Sequence, residues 1–374
     1  MRRHPRYVPC AGFIILLVGC MSTASASTRV IVTTREGTVI SQAARASLAA
    51  DLGVTYHRQM VSIPVSVLTV PDGVDMDDLA TRLDAIRIEA DVRVNRIPEH
   101  RAPSMKTRLG GSRPRRSGVG QSVPWGVSRI SADYTYAEGL TGAGVSVAVL
   151  DTGIDFDHPD LADNIRGGYN AIVPGATPQD DAGHGTGVAG VIAAIDNDID
   201  VVGVAPNVDL YAVKVLDSDG FGSTSDVIAG IDWCIQNGMD VINMSLGSSE
   251  TTQAEADIVA AAHGAGIIMV AAAGNANLGP VDFPGALEQV IAVSATDIAD
   301  QLALFSSVGP EVDIAAPGEQ VLTTDMALGT DFADGTSFAS PHVAGVVALM
   351  MRYGQELCME FRRLPWSARH PRWS

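Results

Sequence analysis

The 374-residue chain predicts an α/β fold: a three-layer domain built on a parallel sheet, preceded by a small α+β domain. Three observations predict it. From Val145 onward, short apolar runs rich in β-branched residues alternate with helical stretches, the pattern of β-α-β units with helices on both sheet faces. Residues from Thr28 to about His100 read instead as β-α-β-β-α-β. Between them, residues 101–119 are rich in Arg, Gly, Ser and Pro and include Arg113-Pro114-Arg115-Arg116, the composition of an exposed linker open to processing.

The elements follow in chain order. Met1-Arg2-Arg3-His4-Pro5-Arg6 and the apolar Ala11–Gly19 form the basic and hydrophobic regions of a secretory signal over residues 1–26, too short to span a bilayer. Two cuts fit: before Cys20, where Leu17-Val18-Gly19-Cys20 resembles a bacterial lipobox and would leave a lipid-anchored cysteine, or after Ala26, behind Ala24-Ser25-Ala26. In the small domain, 27–100, strands are expected at Arg29–Thr33, Val65–Val70 and Ala90–Arg96. Helices are expected at Ala43–Leu52 and Met76–Ile86, with Asp72 or Asp75 as the second cap. The large domain, 120–351, is read as strands Val145–Leu150, Val208–Leu216, Val241–Leu246, Ile267–Ala273 and Val290–Ala295 and helices Ser223–Asn237, Ala254–Gly264 and Ala339–Met351. Cys10, Cys20, Cys234 and Cys358 show no metal or disulfide spacing, and Cys234 reads as a small core residue.

Charge is segregated. Residues 1–119 carry +7, residues 120–351 carry −28 and residues 352–374 carry +3. The acidic body excludes nucleic acid as a partner and suits a cation, and the basic leading segment complements it.

Three segments of the large domain carry chemistry. Asp151 ends the apolar run Val147-Ala148-Val149-Leu150, at the carboxyl end of a strand, where open α/β sheets build their sites. His184 opens the small-residue run Gly185-Thr186-Gly187-Val188-Ala189-Gly190. Ser337, after Gly335-Thr336, precedes Phe338-Ala339-Ser340-Pro341-His342 at the start of a helix, where backbone N–H groups favour developing negative charge. A serine hydroxyl needs a base to take its proton, and the base needs a third group to fix its tautomer. Pro341 reads as tolerable early in the helix, where N–H groups lack intrahelical partners.

Asp, His and Ser, in that order and with these flanks, resemble the subtilase (subtilisin-like, peptidase S8) serine proteases from about Thr28 to Met350, with Ala316-Pro317-Gly318 a further match. The resemblance implies a serine-type endopeptidase with Asp151, His184 and Ser337 as its triad and Asn275, after Ile267–Gly274, as an oxyanion donor beside the Ser337 N–H. It implies that Ser245, Leu246 and Gly247 pair with extended substrate, and that these residues with Ala272, Ala273 and Gly274 flank the primary pocket. No acidic residue stands among them, so an apolar or aromatic residue is expected before the cut. Gly120-Gln121-Ser122-Val123-Pro124-Trp125-Gly126 resembles a mature subtilase N-terminus. The family's calcium site then implies Gln121, Asp160 and Asn197 as side-chain ligands, with the carbonyls of Ile195, Ile199 and Val201, in place of a merely solvated acidic loop.

The small domain is similar to the ferredoxin-like inhibitor propeptides of the family, with an independent accessory domain as the other reading, and autocleavage is expected between Pro103 and Gln121. The implied partners are protein or peptide substrates and the chain's own propeptide, with a membrane entering only through a lipid on Cys20, and the implied location is extracellular or at the cell envelope. Two departures stand out. Gly187 occupies a position where most subtilases have a second histidine, outside the proton relay. Residues 352–374 are Arg-, Pro- and Trp-rich, the mark of a truncated or frameshifted end. That end opens two other readings, an inactive subtilase-like scaffold and a maturation protease with one target.

Overall fold

In the computed structural model, residues 27–35, 38–97, 120–326 and 329–353 are described. The signal region with Cys20, the linker 101–119 with the expected autocleavage point, and the tail beyond Tyr353 lie outside the described residues. Two compact units result, one ending at Asp91 and one beginning at Val92. No helix among the described residues is long and apolar enough to cross a membrane.

The first unit runs β1 (Ser27–Thr34), α1 (Gln42–Leu52), β2 (Thr55–Gln59), β3 (Val65–Pro71), α2 (Met76–Leu83) and β4 (Ala85–Ala90). Its antiparallel sheet has the order β2-β3-β1-β4. Val32, Leu68, Val70, Leu79 and Leu83 meet in its core. Asp75 caps α2 by accepting from Asp77 N at 2.9 Å. α2 stops at Leu83, earlier than expected, because Asp84 turns left-handed (φ 50°) and the chain enters β4 directly. The strand expected over Ala90–Arg96 divides: β4 closes the first unit, and β5 (Arg93–Arg96) belongs to the second.

The second unit contains two short helices, α3 (Trp125–Arg129) and α4 (Asp133–Tyr136), and then β6 (Ser146–Asp151), β7 (Ile165–Asn170), α5 (His184–Ala193), β8 (Asp209–Lys214), β9 (Phe221–Ser223) and α6 (Thr224–Gln236). It continues with β10 (Val241–Met244), β11 (Leu246–Gly247), α7 (Gln253–Gly264), β12 (Ile268–Ala272), β13 (Val290–Thr296), β14 (Val312–Pro317), β15 (Val321–Asp325), β16 (Gly329–Ala333) and α8 (Thr336–Tyr353). Seven parallel strands form the central sheet in the order β14-β13-β12-β10-β6-β8-β7. After β6 the chain crosses to the edge strand β7, comes back to β8 beside β6, and then passes to the other side of β6 for β10 to β14. The order therefore reverses between β6 and β10, and the crevice beyond their carboxyl ends is the natural site of such a sheet.

Burial on both faces explains why these strands are continuously apolar rather than alternating. Val147, Ala148, Val149 and Leu150 are all wholly buried. Val147 and Val149 join the core shared with Val188, Ile192, Phe338 and Ala344 of α5 and α8. Leu150 faces the other way, toward Gly230 of α6, where a β-carbon would lie 3.3 Å from its Cδ2. Truncating such a leucine to alanine costs about 2–5 kcal/mol. Cys234 is a free, buried residue of α6, as its apolar setting implies.

Pro341 sits deeper in its helix than the sequence reading placed it. α8 begins at Thr336, so Pro341 is not in the first turn, and its missing N–H deprives the Ser337 carbonyl of its i+4 donor. Ser245 Oγ donates to that carbonyl instead, at 2.8 Å. One turn beyond Ser337, His342 is fully enclosed, its Nδ1–H donating to the Phe338 carbonyl at 2.8 Å. A β-carbon at Gly126 of α3 would lie within 2.3 Å of His342 Nε2, so glycine is what lets α3 approach.

Burial depresses the His342 pKa from 6.5 to about 4. Between those values the unfolded chain binds a proton that the native state excludes. Its contribution is present above pH 6.5 and is lost as pH falls toward 4, a change on the order of 3 kcal/mol. Urea unfolding of wild type and His342→Gln at pH 7 and pH 4 should therefore show the variant losing less stability over that interval. Equal losses would place His342 outside the acid response.

Candidate active site

The site assembles at the reversal point of the sheet. Asp151 is the last residue of β6 and is fully buried. Its Oδ1 accepts from Thr152 N at 2.7 Å and lies 2.7 Å from His184 Nδ1. That bond fixes the orientation of the imidazole, as a general base requires.

His184 is the first residue of α5, and the turn that delivers it is held by groups the sequence reading did not single out. Asp180 Oδ1 accepts from the N–H groups of Ala182 and Gly183 and from Thr152 Oγ1, and its Oδ2 accepts from Thr186 N and Thr186 Oγ1. One buried carboxylate thus satisfies the otherwise unpaired donors at the start of the helix and ties them to the residue after Asp151. Lys214, also buried, donates to the Thr152 carbonyl at 2.5 Å and to Asp181 Oδ1 at 2.6 Å. Gly185 is required by contact, since its β-carbon would lie 2.1 Å from the Gly153 carbonyl oxygen. The only signal for Asp180 was a carboxylate shortly before a helix of small residues.

Ser337 lies in the first turn of α8, and its Oγ is 3.4 Å from the Ser245 carbonyl beyond β10. Phe338 meets the His184 ring edge-on, with centroids 5.6 Å apart, so the serine turn and the imidazole pack against each other. Asn275 follows β12, and its Oδ1 accepts from Thr336 N at 3.1 Å and Thr336 Oγ1 at 2.9 Å. This orients Nδ2 away from Thr336. A β-carbon at Gly335 (φ 151°) would lie 3.1 Å from Asn275 Nδ2 and 3.6 Å from Ser337 N. Asn275 Nδ2 and Ser337 N thus both lie close to Gly335, where the positive φ and the near neighbours call for glycine.

The cleft beside this point is a three-stranded sheet, β11-β5-β9. β5 lies antiparallel to both neighbours, with Arg96 opposite Leu246, Asn95 opposite Gly247 and Val94 opposite Gly222. Arg96 N donates to the Gly220 carbonyl at 2.8 Å, and the Arg93 guanidinium stacks 3.7 Å above the Phe221 ring. Leu246 and Gly247 thus pair with an extended segment of the chain itself, and Gly220-Phe221-Gly222, which the sequence reading did not single out, lies along its other edge. Ser245 binds α8 as well, through Ser340 Oγ at 3.1 Å. Ala272, Ala273 and Gly274 end the neighbouring strand; Asp282 N donates to the Ala273 carbonyl, which brings the Asp282 loop against Gly247 and Gly274.

The expected calcium ligands also converge. Gln121 Nε2 lies 2.5 Å from the Ile195 carbonyl and 2.9 Å from the Val201 carbonyl. Asp160 Oδ2 accepts from Val201 N at 3.2 Å, and Asn197 bonds to the same carboxylate. Ile199 enters through its N–H, donated to Asn197 Oδ1 at 3.1 Å. Asp160 Oδ1 is buried without a hydrogen-bond partner, and burial raises the carboxyl pKa to about 7. Turning the Gln121 amide brings its oxygen toward the same carbonyls, so the donors are all oxygen and the set fits a hard cation. No cluster of three or more His, Cys, Asp or Glu suited to a metal occurs among the described residues.

A sequence model described as Peptidase_S8, the subtilase family, matches residues 142–362. The chain belongs to the subtilase family. Similar curated proteins include an alkaline protease of Alkalihalobacillus alcalophilus, 48% identical over 232 residues, or 62% of this chain and 60% of that protein. Subtilisin Savinase of Lederbergia lenta is 48% identical over 230 residues, 62% of this chain and 84% of its own length. Subtilisin NAT of Bacillus subtilis subsp. natto is 47% identical over 236 residues, 62% of this chain and 61% of its length. The chain thus spans about 60% of the length of the first of these relatives. The subtilase match begins before β6 and reaches residue 362, eleven residues into the segment whose composition reads as atypical.

Removing the Asn275 amide tests its role. Asn275→Ala is expected to lower kcat about 100-fold or more in a protein that stays folded and still binds peptide. Unimpaired turnover in the folded variant would show that Asn275 is not an oxyanion donor.

Proposed function

We propose that this subtilase is a serine-type endopeptidase, secreted and made as a zymogen, in which Asp151, His184 and Ser337 form an acyl-transfer triad. The observation that carries the reading is the buried Asp151–His184 pair beside a serine turn that Asn275 holds through Thr336. Ser337 Oγ attacks the peptide carbonyl as His184 takes its proton. The carbonyl oxygen, now charged, is held by Asn275 Nδ2 and Ser337 N. His184 then protonates the leaving amine, and water repeats the sequence to free the acid. Asp151 keeps the imidazole in the required tautomer and stabilises its cation. The protease names of the relatives support the same reaction class.

Substrate would take the place of β5, adding an extended strand between β9 and β11. In that register Ile97 follows Arg96 to the level of Ser245, and its side chain is buried. The next bond leads to Pro98, whose ring and missing N–H make it a poor scissile partner. This favours a cleft strand that inhibits without being cut, with residues 27–97 acting as propeptide and processing falling later, between Pro103 and Gln121. The signal segment supports export, with either a free N-terminus after Ala26 or a lipid on Cys20. Gln121, Asp160, Asn197 and the carbonyls of Ile195, Ile199 and Val201 would hold calcium, which ties the N-terminal arm to the body and takes no part in the chemistry.

A fluorophosphonate probe should label Ser337, identified by peptide mass spectrometry, and Ser337→Ala should abolish labelling in a folded protein; a folded wild type that resists the probe would refute the triad. Calcium removal by EDTA should lower the melting temperature by several degrees and leave low-temperature turnover nearly unchanged. A melting point indifferent to chelation would remove the calcium assignment.

A further inference from the structure

The acidic side chain of Asp282 lies against Gly247 and Gly274, two glycines of the expected primary pocket, and it comes from a loop the sequence reading did not connect to them. A β-carbon at Gly247 would lie 2.8 Å from Asp282 Cβ and 3.4 Å from its Oδ2. A β-carbon at Gly274 (φ 110°) would lie 2.7 Å from the same Oδ2 and 3.1 Å from Cγ. The carboxylate therefore fills the space that two wall glycines leave between them.

The fold makes no use of that carboxylate. The turn is held by backbone: Asp282 N donates to the Ala273 carbonyl, Ala286 N donates to the Asp282 carbonyl, and Ser248 and Phe283 exchange two backbone bonds. Among the described residues the Asp282 side chain has no hydrogen bond and no ion pair. It is only partly buried, so an incoming group can reach it. Burial raises its pKa, with no nearby cation to offset the cost. A carboxylate that is half desolvated, unpaired and set at the wall of a pocket is an acceptor for a cation supplied by the substrate.

We propose that Asp282 determines specificity, directing cleavage after lysine or arginine rather than after the apolar or aromatic residues that the small uncharged walls alone suggest. This rests on the endopeptidase reading above and names the substrate class of that site. A long basic side chain would lie along Gly247 and Gly274 with its apolar stem against the walls and its charge at Asp282. The resident strand agrees, because Ile97 offers no charge to Asp282 and so remains an inhibitor rather than a good substrate. The linker, by contrast, offers Lys106, Arg108, Arg115 and Arg116 as sites of the preferred kind.

The test is steady-state kinetics of the matured full-length protein on Ala-Ala-Pro-X p-nitroanilides with X as Lys, Arg, Phe or Leu. Wild type should favour Arg and Lys, and Asp282→Asn, which keeps the shape, should lose about 30-fold or more in its kcat/KM ratio of Arg or Lys over Phe. Asp282→Lys should turn the preference against basic residues. If Asn and wild type share one charge-independent ranking, the assignment of Asp282 is overturned while the endopeptidase reading stands. If no substrate turns over and Ser337 resists fluorophosphonate in folded protein, the endopeptidase reading itself fails.

Discussion

The buried contact between Asp151 and His184 is the constraint on which the rest of the structure depends. A carboxylate and an imidazole with no exposed surface must meet at 2.7 Å, although one ends a strand and the other begins a helix 33 residues later. Each is held by its own scaffold. Parallel neighbours β10 and β8 fix the end of β6. Asp180 fixes the first turn of α5, and Thr152 binds both pieces, through Asp180 and through Gly185 N at 3.0 Å. Buried polar groups arranged this way are costly when half satisfied and rigid when complete, which is the property a preorganised site needs.

The same crevice explains how nucleophile, donors and cleft coexist. Sheet order reverses at β6 and β10, and the residues just beyond those ends serve two purposes. Ser245 replaces the helical donor that Pro341 removes from the Ser337 carbonyl, and its neighbours Leu246 and Gly247 form one wall of the cleft. Asn275, just past β12, spends its oxygen on Thr336, the residue before Ser337. The glycines at 185, 247, 274 and 335 matter because other groups occupy the space a side chain would need.

Much of this was legible in the sequence, for a physical reason. Asp151, His184, Ser337 and Asn275 each stand at the end of an apolar run or the start of a helix, flanked by small residues, so local pattern marks them. The parallel sheet is legible in the same way, from β-branched runs between helices. Gln121, Asp160 and Val201 came from resemblance, and their contacts in the fold are made across 41 to 80 residues of sequence. What the sequence concealed is what only tertiary contact creates. Asp180 looks like an ordinary loop acid until five hydrogen-bond donors converge on its carboxylate. Asp282 is eight residues beyond Gly274 and far from Gly247, with nothing local to connect them. β5 read as the last strand of the first domain because alternation cannot say which sheet a strand will join.

The central claim is that Asp151 sets the protonation geometry of His184 for attack by Ser337. The direct measurement is the acylation rate of Ser337 in wild type and in Asp151→Asn, followed as the burst of p-nitrophenol from an active ester, with urea unfolding run in parallel. The account predicts a fall of about 10⁴-fold in a variant that remains folded, because an amide at 151 favours the wrong imidazole tautomer. A folded Asp151→Asn protein acylated at the wild-type rate would contradict it.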